Sequence, residues 1–321
     1  MLDNTKKPFI GECWPGKSYW ADFLNPKIQT FYNRFFEDES YFLNSNLTHT
    51  WIDMNEPAVF EQEEQTFPRS NLHFNGIDYI PHRDIHNLYG QLYHKTTLIA
   101  LQNRYKNLKR PFVLSRSFYA GSQKFGFIWT GDNRSNYDFL KYSIPLLQTI
   151  CATGINACGA DVGGFFGKAE ESLLKSWYAA GIFYPFFRGH CHYDSPNREV
   201  YLHSKETFLE IKDAIVMRYQ LLLYFYTKFY ESVITGEPLI KPVYLDYDLF
   251  SYNIKDCLKD MVDRSATGSF AFGNEFIVGT YYEKDEAAVK KELGEFTGNN
   301  EMLMELINEE NEKQDYEIFK K

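Results

Sequence analysis

Charged and ionisable side chains recur just after short apolar runs in this sequence. Asp53, Asn55 and Glu56 follow the first run, Arg116 the second, Asp132 and Asn133 the third, Asp161 the fourth, and Arg188, His190 and His192 the fifth. Two carboxylates held on one rim can divide the work of cleaving a sugar acetal, one as nucleophile and one as general acid. Trp14, Trp51, Trp129, Phe165 and Phe166 stand beside these positions, and flat aromatic faces suit the C–H faces of a sugar ring. A purely structural account is unattractive, because burying that many charges without a use is costly.

Each residue also has an ordinary reading. Asp53 alone fits a strand-end Asp ahead of Pro57, and Asp132 within Gly131-Asp132-Asn133 fits a plain turn. Glu56 reads as a structural residue that orients loops. His190 and His192 hint at a metal, but no third ligand stands at a metal-like spacing, so no metal is expected. The glycines at 159, 163, 164 and 167 form neither GxGxxG nor a phosphate-binding loop, so no nucleotide cofactor is expected.

The elements that must position these groups alternate. Leu47–Asp53, Pro111–Ser115, Phe125–Thr130, Ile155–Cys158 and Ile182–Phe187 read as buried strands. Pro26–Asp38, Ile85–Asn107, Asn136–Thr153 and Ala169–Ala180 read as helices between them. This order favours an α/β fold with a parallel sheet or barrel, whose strand C-termini all open on one face. A long helix is expected from Ser204 to Ser232. Its apolar face would carry Leu209, Val216, Leu223 and Tyr230 at seven-residue intervals, with the Tyr/Phe stripe of 221–230 in the core. Gly236 and Pro238 end it. β-formers then return at Pro238–Leu249 and Phe270–Tyr282, so a β module is expected over 237–282 and an acidic tail over 283–321.

The chain has 321 residues and a formal net charge of −9. The tail from Glu283 holds twelve Asp/Glu against six Lys, so the acidity says little about the substrate. No basic stripe is present, which argues against nucleic-acid partners. No run is apolar enough to span a membrane, and the N-terminal residues lack the h-region of a secretory signal. The five cysteines, 13, 151, 158, 191 and 257, are expected as buried free thiols. Asn46 and Asn133 lie in sequons, the second doubtful as a glycan site beside Asp132.

The segment Trp51-Ile52-Asp53-Met54-Asn55-Glu56-Pro57 resembles the nucleophile region of glycoside hydrolase family 31. The likeness continues, in order, through CWPG (13–16), HRDIHNLYG (82–90), RPFVLSRSFYAGSQKFG (110–126), WTGDN (129–133), CGADVGGFF (158–166) and PFFRGHCH (185–192). Within the family, HRDIHN, FYAGSQKFG, GDN, ADVGGFF and the PFFR-H-H pattern are most similar to the endoplasmic-reticulum glucosidase II catalytic-subunit branch. The resemblance implies a retaining exo-α-glucosidase acting on oligosaccharides with a terminal α-linked glucose. It assigns Asp53 as nucleophile and Asp132 as general acid/base. It places Trp14, Trp51, Met54, Arg116, Trp129, Asp161, Phe165 and His190 around the substrate. It also implies a regulatory β subunit and a lumenal location in the endoplasmic reticulum.

The family's barrel has eight strands, of which this sequence supplies five, resembling the fourth to the eighth in a catalytic domain over 1–236. The expectation is therefore a partial (β/α)8 TIM barrel followed by the start of a C-terminal β-sandwich module. Two other readings stay open: a non-catalytic remnant that binds sugar or a partner, and a related enzyme acting on maltose or α-xylosides.

Overall fold

The computed structural model describes residues 1–37, 48–245 and 269–279. Residues 1–280 form one compact unit; the second unit, 281–321, lies outside the described residues and takes the expected acidic tail with it. Asn46, Leu47, Asp38 and Cys257 lie outside them as well.

In chain order, β1 (Ile10–Cys13) and β2 (Gly16–Tyr19) form an antiparallel hairpin. Helix α1 (Ile28–Asn33) and strand β3 (Thr50–Ile52) follow. A second hairpin, β4 (Leu72–Phe74) and β5 (Tyr79–Pro81), leads into helix α2 (His82–Arg104). Next come β6 (Val113–Ser115), β7 (Phe127–Trp129), α3 (Tyr137–Ala152), β8 (Cys158–Gly159), β9 (Asp161–Val162), α4 (Glu171–Gly181) and β10 (Arg188–Gly189). Helices α5 (Lys205–Gln220) and α6 (Leu222–Thr235) follow. Strands β11 (Ile240–Lys241), β12 (Phe270–Phe272) and β13 (Phe276–Val278) close the described chain as a small antiparallel sheet.

The centre is parallel. Strands pair in the order β3-β6-β7-β8, and β9 pairs with β10 one residue beyond the end of β8. Helices α2, α3 and α4 each link one of these strands to the next, the α/β order expected of the barrel. Because the strands run parallel, residues 53, 116, 130, 161 and 190 emerge at one rim. Behind the sheet, Ile52, Val113 and Leu101 of α2 form one buried cluster, and Ile128, Leu140, Ile144, Val162, Leu174 and Trp177 are also buried. Each such side chain contributes about 1.5–3 kcal/mol on leaving water.

The sheet's surroundings use local signals that the sequence carries. Asn136 caps α3 by accepting from Phe139 N at 2.9 Å, and Ser204 caps α5 by accepting from Thr207 N at 3.3 Å. Gly236 ends α6 with φ 78°, a left-handed conformation that favours glycine. The β4–β5 hairpin is locked to α2 by a file of side chains. His73 Nδ1 meets Asp22 Oδ1 at 2.8 Å, His73 Nε2 meets His82 Nδ1 at 2.9 Å, and His82 Nε2 meets His86 Nδ1 at 2.8 Å.

Four expectations are corrected. Residues 182–187 form turns rather than a strand, and the strand is Arg188–Gly189. The turn is held by Arg218, whose guanidinium donates to the carbonyls of Ile182, Tyr184 and Pro185 at 2.7–3.0 Å, a contact no local pattern announces. The long helix 204–232 is two helices broken at Leu221. Its seven-residue stripe is not core: Leu209, Val216, Leu223 at 83% and Tyr230 are exposed, and of the other 221–230 aromatics Tyr226 is 65% exposed, Tyr224 and Phe229 are half-buried and Phe225 is buried, as is Ile211. Ile211 and Phe225 lie on another flank, where α5 packs on α4 and the Phe225 ring lies tilted 4.5 Å from that of Phe272. Among the thiols, Cys151 and Cys158 are buried, but Cys13 and Cys191 are half-exposed.

Candidate active site

Asp53 follows β3 directly. Its Oδ1 accepts from Met54 N at 2.9 Å, and Met54 takes a left-handed backbone with φ 56°, sparsely populated for a side-chain-bearing residue. The Glu56–Pro57 peptide is cis. Buried Asn55 anchors this turn to the next strand's end: its Nδ2 donates to Ser115 Oγ at 2.8 Å, and its Oδ1 accepts from Ser117 N at 3.0 Å.

Arg116 follows β6 and sits among the carboxylates. Its Nε lies 3.2 Å from Asp53 Oδ1 and 2.8 Å from Glu56 Oε1, and its Nη1 lies 3.5 Å from Asp132 Oδ1. Its Nη2 donates to Met54 Sδ at 2.8 Å. Burial works against the Arg116 charge, yet Glu56, then Asp53 and Asp132, outweigh it and hold the guanidinium above its ordinary value. Glu56, read from the sequence as purely structural, thus shares the cation with both aspartates.

Asp132 follows β7. Its neighbour Asn133 is buried and donates from Nδ2 to Asp161 O at 3.0 Å, while its Oδ1 accepts from Phe165 N at 2.8 Å. This side chain is therefore committed inside the rim and is no glycan acceptor. Burial raises the Asp132 carboxyl above its ordinary value; Arg116 pulls it down, and Asp53 and Glu56 push it up.

Asp161 is fully buried on β9 and pairs through Oδ1 with Arg188 Nη2 at 2.7 Å and Nε at 3.2 Å. Its Oδ2 and the Nε1 of buried Trp129 are buried polar atoms without a hydrogen-bond partner. Burial pushes the Asp161 carboxyl up to about 6, against the pull of Arg188; Asp132 and Asp53 push the same way. The Arg188 guanidinium lies 4.7 Å from the Trp51 ring and 5.3 Å from the Trp129 ring.

The aromatic residues line up around these charges. Trp51 meets Trp129 edge-on at 5.5 Å and His190 at 5.2 Å. Phe165 lies 5.3 Å from His190 and 5.5 Å from His192. Burial lowers the His190 proton affinity, and Arg188 lowers it further. Trp14 is the outlier: it rides the β1–β2 turn, 70% exposed, with its ring edge-on to Phe60 at 5.1 Å. A backbone bond from Phe60 N to Glu12 O at 2.9 Å ties that hairpin to the loop after Asp53.

Asp53, Met54, Arg116, Asp132, Asp161, Trp51, Trp129, Phe165 and His190 therefore form one connected rim, and Trp14 reaches it through Phe60. Arg188 was underrated by sequence reasoning, although it stands inside PFFRGHCH. Among the described residues, no group of three or more His, Cys, Asp or Glu is placed to hold a metal ion. The rim can do acid–base and nucleophilic chemistry: two carboxylates face one cation, one has a raised proton affinity, and rings and buried acceptors surround them.

Residues 1–228 match the sequence model of the glycosyl hydrolases family 31 TIM-barrel domain. The chain is 46% identical over 255 residues to a probable glucan 1,3-alpha-glucosidase of Oryza sativa subsp. japonica, covering 79% of this chain and 27% of that protein. It is 42% identical over 258 residues to neutral alpha-glucosidase C of Homo sapiens, covering 80% and 28%. Among solved structures, a Tris-bound glucosidase II alpha subunit superposes with a TM-score of 0.79 at 38% identity, covering 89% of this chain and 30% of that one. The same values hold for a heterodimeric ER glucosidase II complex containing the catalytic subunit and the binding domain of the regulatory subunit. The chain spans between about a quarter and a third of the length of the curated relatives it matches.

Proposed function

This chain belongs to glycoside hydrolase family 31, and from that premise we propose that it carries the reacting groups of a retaining exo-α-glucosidase. The observation that carries the reading is the Asp53–Arg116–Asp132 arrangement, with 3.2 and 3.5 Å from the two carboxylates to one guanidinium. Asp53 attacks the anomeric carbon and forms a glucosyl ester with inversion. Asp132, whose raised proton affinity suits an acid, protonates the departing oxygen and then takes a proton from the attacking water. The second inversion restores the α configuration. Arg116 bridges the two carboxyl groups in the resting state.

The unpartnered Asp161 Oδ2 and Trp129 Nε1 suit sugar hydroxyls, which both donate and accept. Trp51, Phe165, His190 and Met54 wall the glucose, and Trp14 covers it from the hairpin. The substrate is an oligosaccharide ending in α-linked glucose. The likeness to glucosidase II supports N-glycan trimming in the endoplasmic-reticulum lumen beside a regulatory subunit. We also divide the chain near residue 236, where parallel pairing gives way to the antiparallel β11–β13 sheet.

The test is release of glucose from an aryl α-glucoside by the purified chain, with α-glucose as the first-formed anomer. A fluorinated, activated α-glucosyl fluoride should leave one sugar mass on the peptide bearing Asp53. Turnover that survives Asp53→Ala would overturn the reading, as would β-glucose as the first product. Relative rates on maltose and α-xylosides separate glucosidase from its family alternatives.

A further inference from the structure

Arg198 lies outside every sequence block discussed above, yet it is a buried guanidinium, 9% exposed, at the meeting point of three rim loops. Its Nη1 donates to Gly163 O at 2.7 Å, to Gly164 O, and to Ser135 Oγ at 3.2 Å; its Nη2 donates to Gly167 O at 2.8 Å. Gly163, Gly164 and Gly167 all have φ between 83° and 91°. These left-handed turns gather their carbonyls on Arg198 instead of on a regular ladder. A Cβ on Gly164 would lie 2.4 Å from Ser135 N, so the two loops touch backbone to backbone there.

The loop so gathered is laced to the acid. Phe165 N and Phe166 N both donate to Asn133 O, at 3.0 and 2.9 Å, and Ser135 N donates to Phe166 O at 2.9 Å. His192 N donates to Phe165 O at 2.9 Å. Asp132 is therefore flanked by a loop whose far side is pinned by Arg198, and Phe165 sits at the centre of the lacing. No carboxylate pairs with Arg198 among the described residues. A cation buried against neutral carbonyls is costly to retain for stability alone. Its planar fork offers several donors in fixed directions, which an ammonium cannot copy.

We propose that Arg198 is a positioning residue for the general acid: by clamping Gly163–Gly167 and Ser135, it fixes the loop that carries Asp132 and the wall residue Phe165. This rests on the hydrolase reading above. It makes a distinction that lost folding would not. A displaced acid harms substrates whose leaving oxygen needs a proton and spares those whose leaving group needs little help.

The experiment compares the wild-type chain, Arg198→Lys and Ser135→Ala on an alkyl α-glucoside and on α-glucosyl fluoride, together with amide hydrogen exchange. Arg198→Lys should lose about 10²-fold in kcat/KM, which reports the glycosylation step, on the alkyl glucoside, the scale of a small misplacement. On the fluoride it should lose less than about threefold. Exchange should quicken at Ser135, Phe165, Phe166 and His192 and stay unchanged in α2. Ser135→Ala, which removes one contact and little volume, should show the same pattern in smaller measure and decides the matter if Arg198→Lys does not fold. Equal losses in kcat/KM on both substrates, or unchanged exchange in the rim loops, would overturn the proposal. If the wild-type chain turns over neither substrate, the hydrolase reading fails, and the exchange comparison alone decides whether Arg198 holds this loop.

Discussion

Asp53 and Asp132, on the loops either side of the one that carries Arg116 and far apart in sequence, each place a carboxylate oxygen on the same guanidinium, at 3.2 and 3.5 Å. The relationship exists because β3, β6 and β7 are successive parallel strands and Arg116 leaves the middle one. The cation stands between two like charges that would otherwise repel, and Glu56 completes the cluster from the third side.

Replacing Arg116 with Met should therefore raise the proton affinity of Asp132 further, since Arg116 is the main group pulling it down. In the pH profile of kcat/KM, the alkaline limb should move upward while the maximum falls. Arg116→Lys should recover only part of the loss, because a point charge cannot serve three carboxylates with fixed donors. A profile that drops without shifting would contradict this role.

Asp132→Ala should lose about 10²- to 10⁴-fold on substrates with poor leaving groups. On an aryl α-glucoside with a good leaving group, which forms the ester without the acid, added azide should restore turnover and yield α-glucosyl azide, by attack on the β-linked ester at Asp53. The same anion with Asp53→Ala should instead yield β-glucosyl azide, from a single inversion of the substrate. Product anomers read by NMR assign both residues, and interchanged anomers would reverse the assignment.

Asp161 titrates at about 6, raised by burial against the pull of Arg188. Above that pH its free oxygen is an anionic acceptor; below it the carboxyl is neutral and a weaker partner for a sugar hydroxyl. KM should rise as pH falls through about 6, and Asp161→Asn should bind more weakly with that dependence removed. Linkage has the opposite sign for folding. The folded carboxyl holds its proton more tightly than its ordinary value of 3.8, so this group subtracts stability as pH rises from about 4 to about 6.

Two buried rings of α2, His82 of the histidine file and His94, contribute to acid stability. Burial, with His73 and His86 adding, lowers His82 to about 3, and burial lowers His94 to about 4. Both rings resist protonation when folded and accept it near 6.5 when unfolded. Their contribution is complete above 6.5 and is lost as pH falls toward these lower values. The Tm should fall between pH 6.5 and 4, and His82→Gln should fall less steeply, although it starts lower. Parallel curves would remove His82 from the account.

Much of the scaffold was legible because it depends on neighbours in the chain. Asn136, Ser204 and Gly236 mark helix ends through bonds reaching only a few residues, and they stand where the sequence placed them. The break at Leu221 was hidden, since no Gly or Pro interrupts the pattern there. The exposed 209–230 stripe was misread as core, because periodicity shows that a helix has an apolar face but not what lies against it. The turn at 182–187 was misread for a related reason: Arg218 satisfies its carbonyls from a distant helix.

At the rim, residue type and spacing alone marked Asp53, Asp132, Asp161 and their aromatic neighbours, because strand ends and chemistry-bearing side chains are written in local sequence. The sharing of Arg116 among three carboxylates, the raised Asp161, and the part played by Arg188 came only with the folded chain. They depend on the register between strands, on which way each side chain leaves its strand, and on how much water burial removes. Those are distances through space between residues remote in sequence, and electrostatic interactions follow such distances, not the order of the chain.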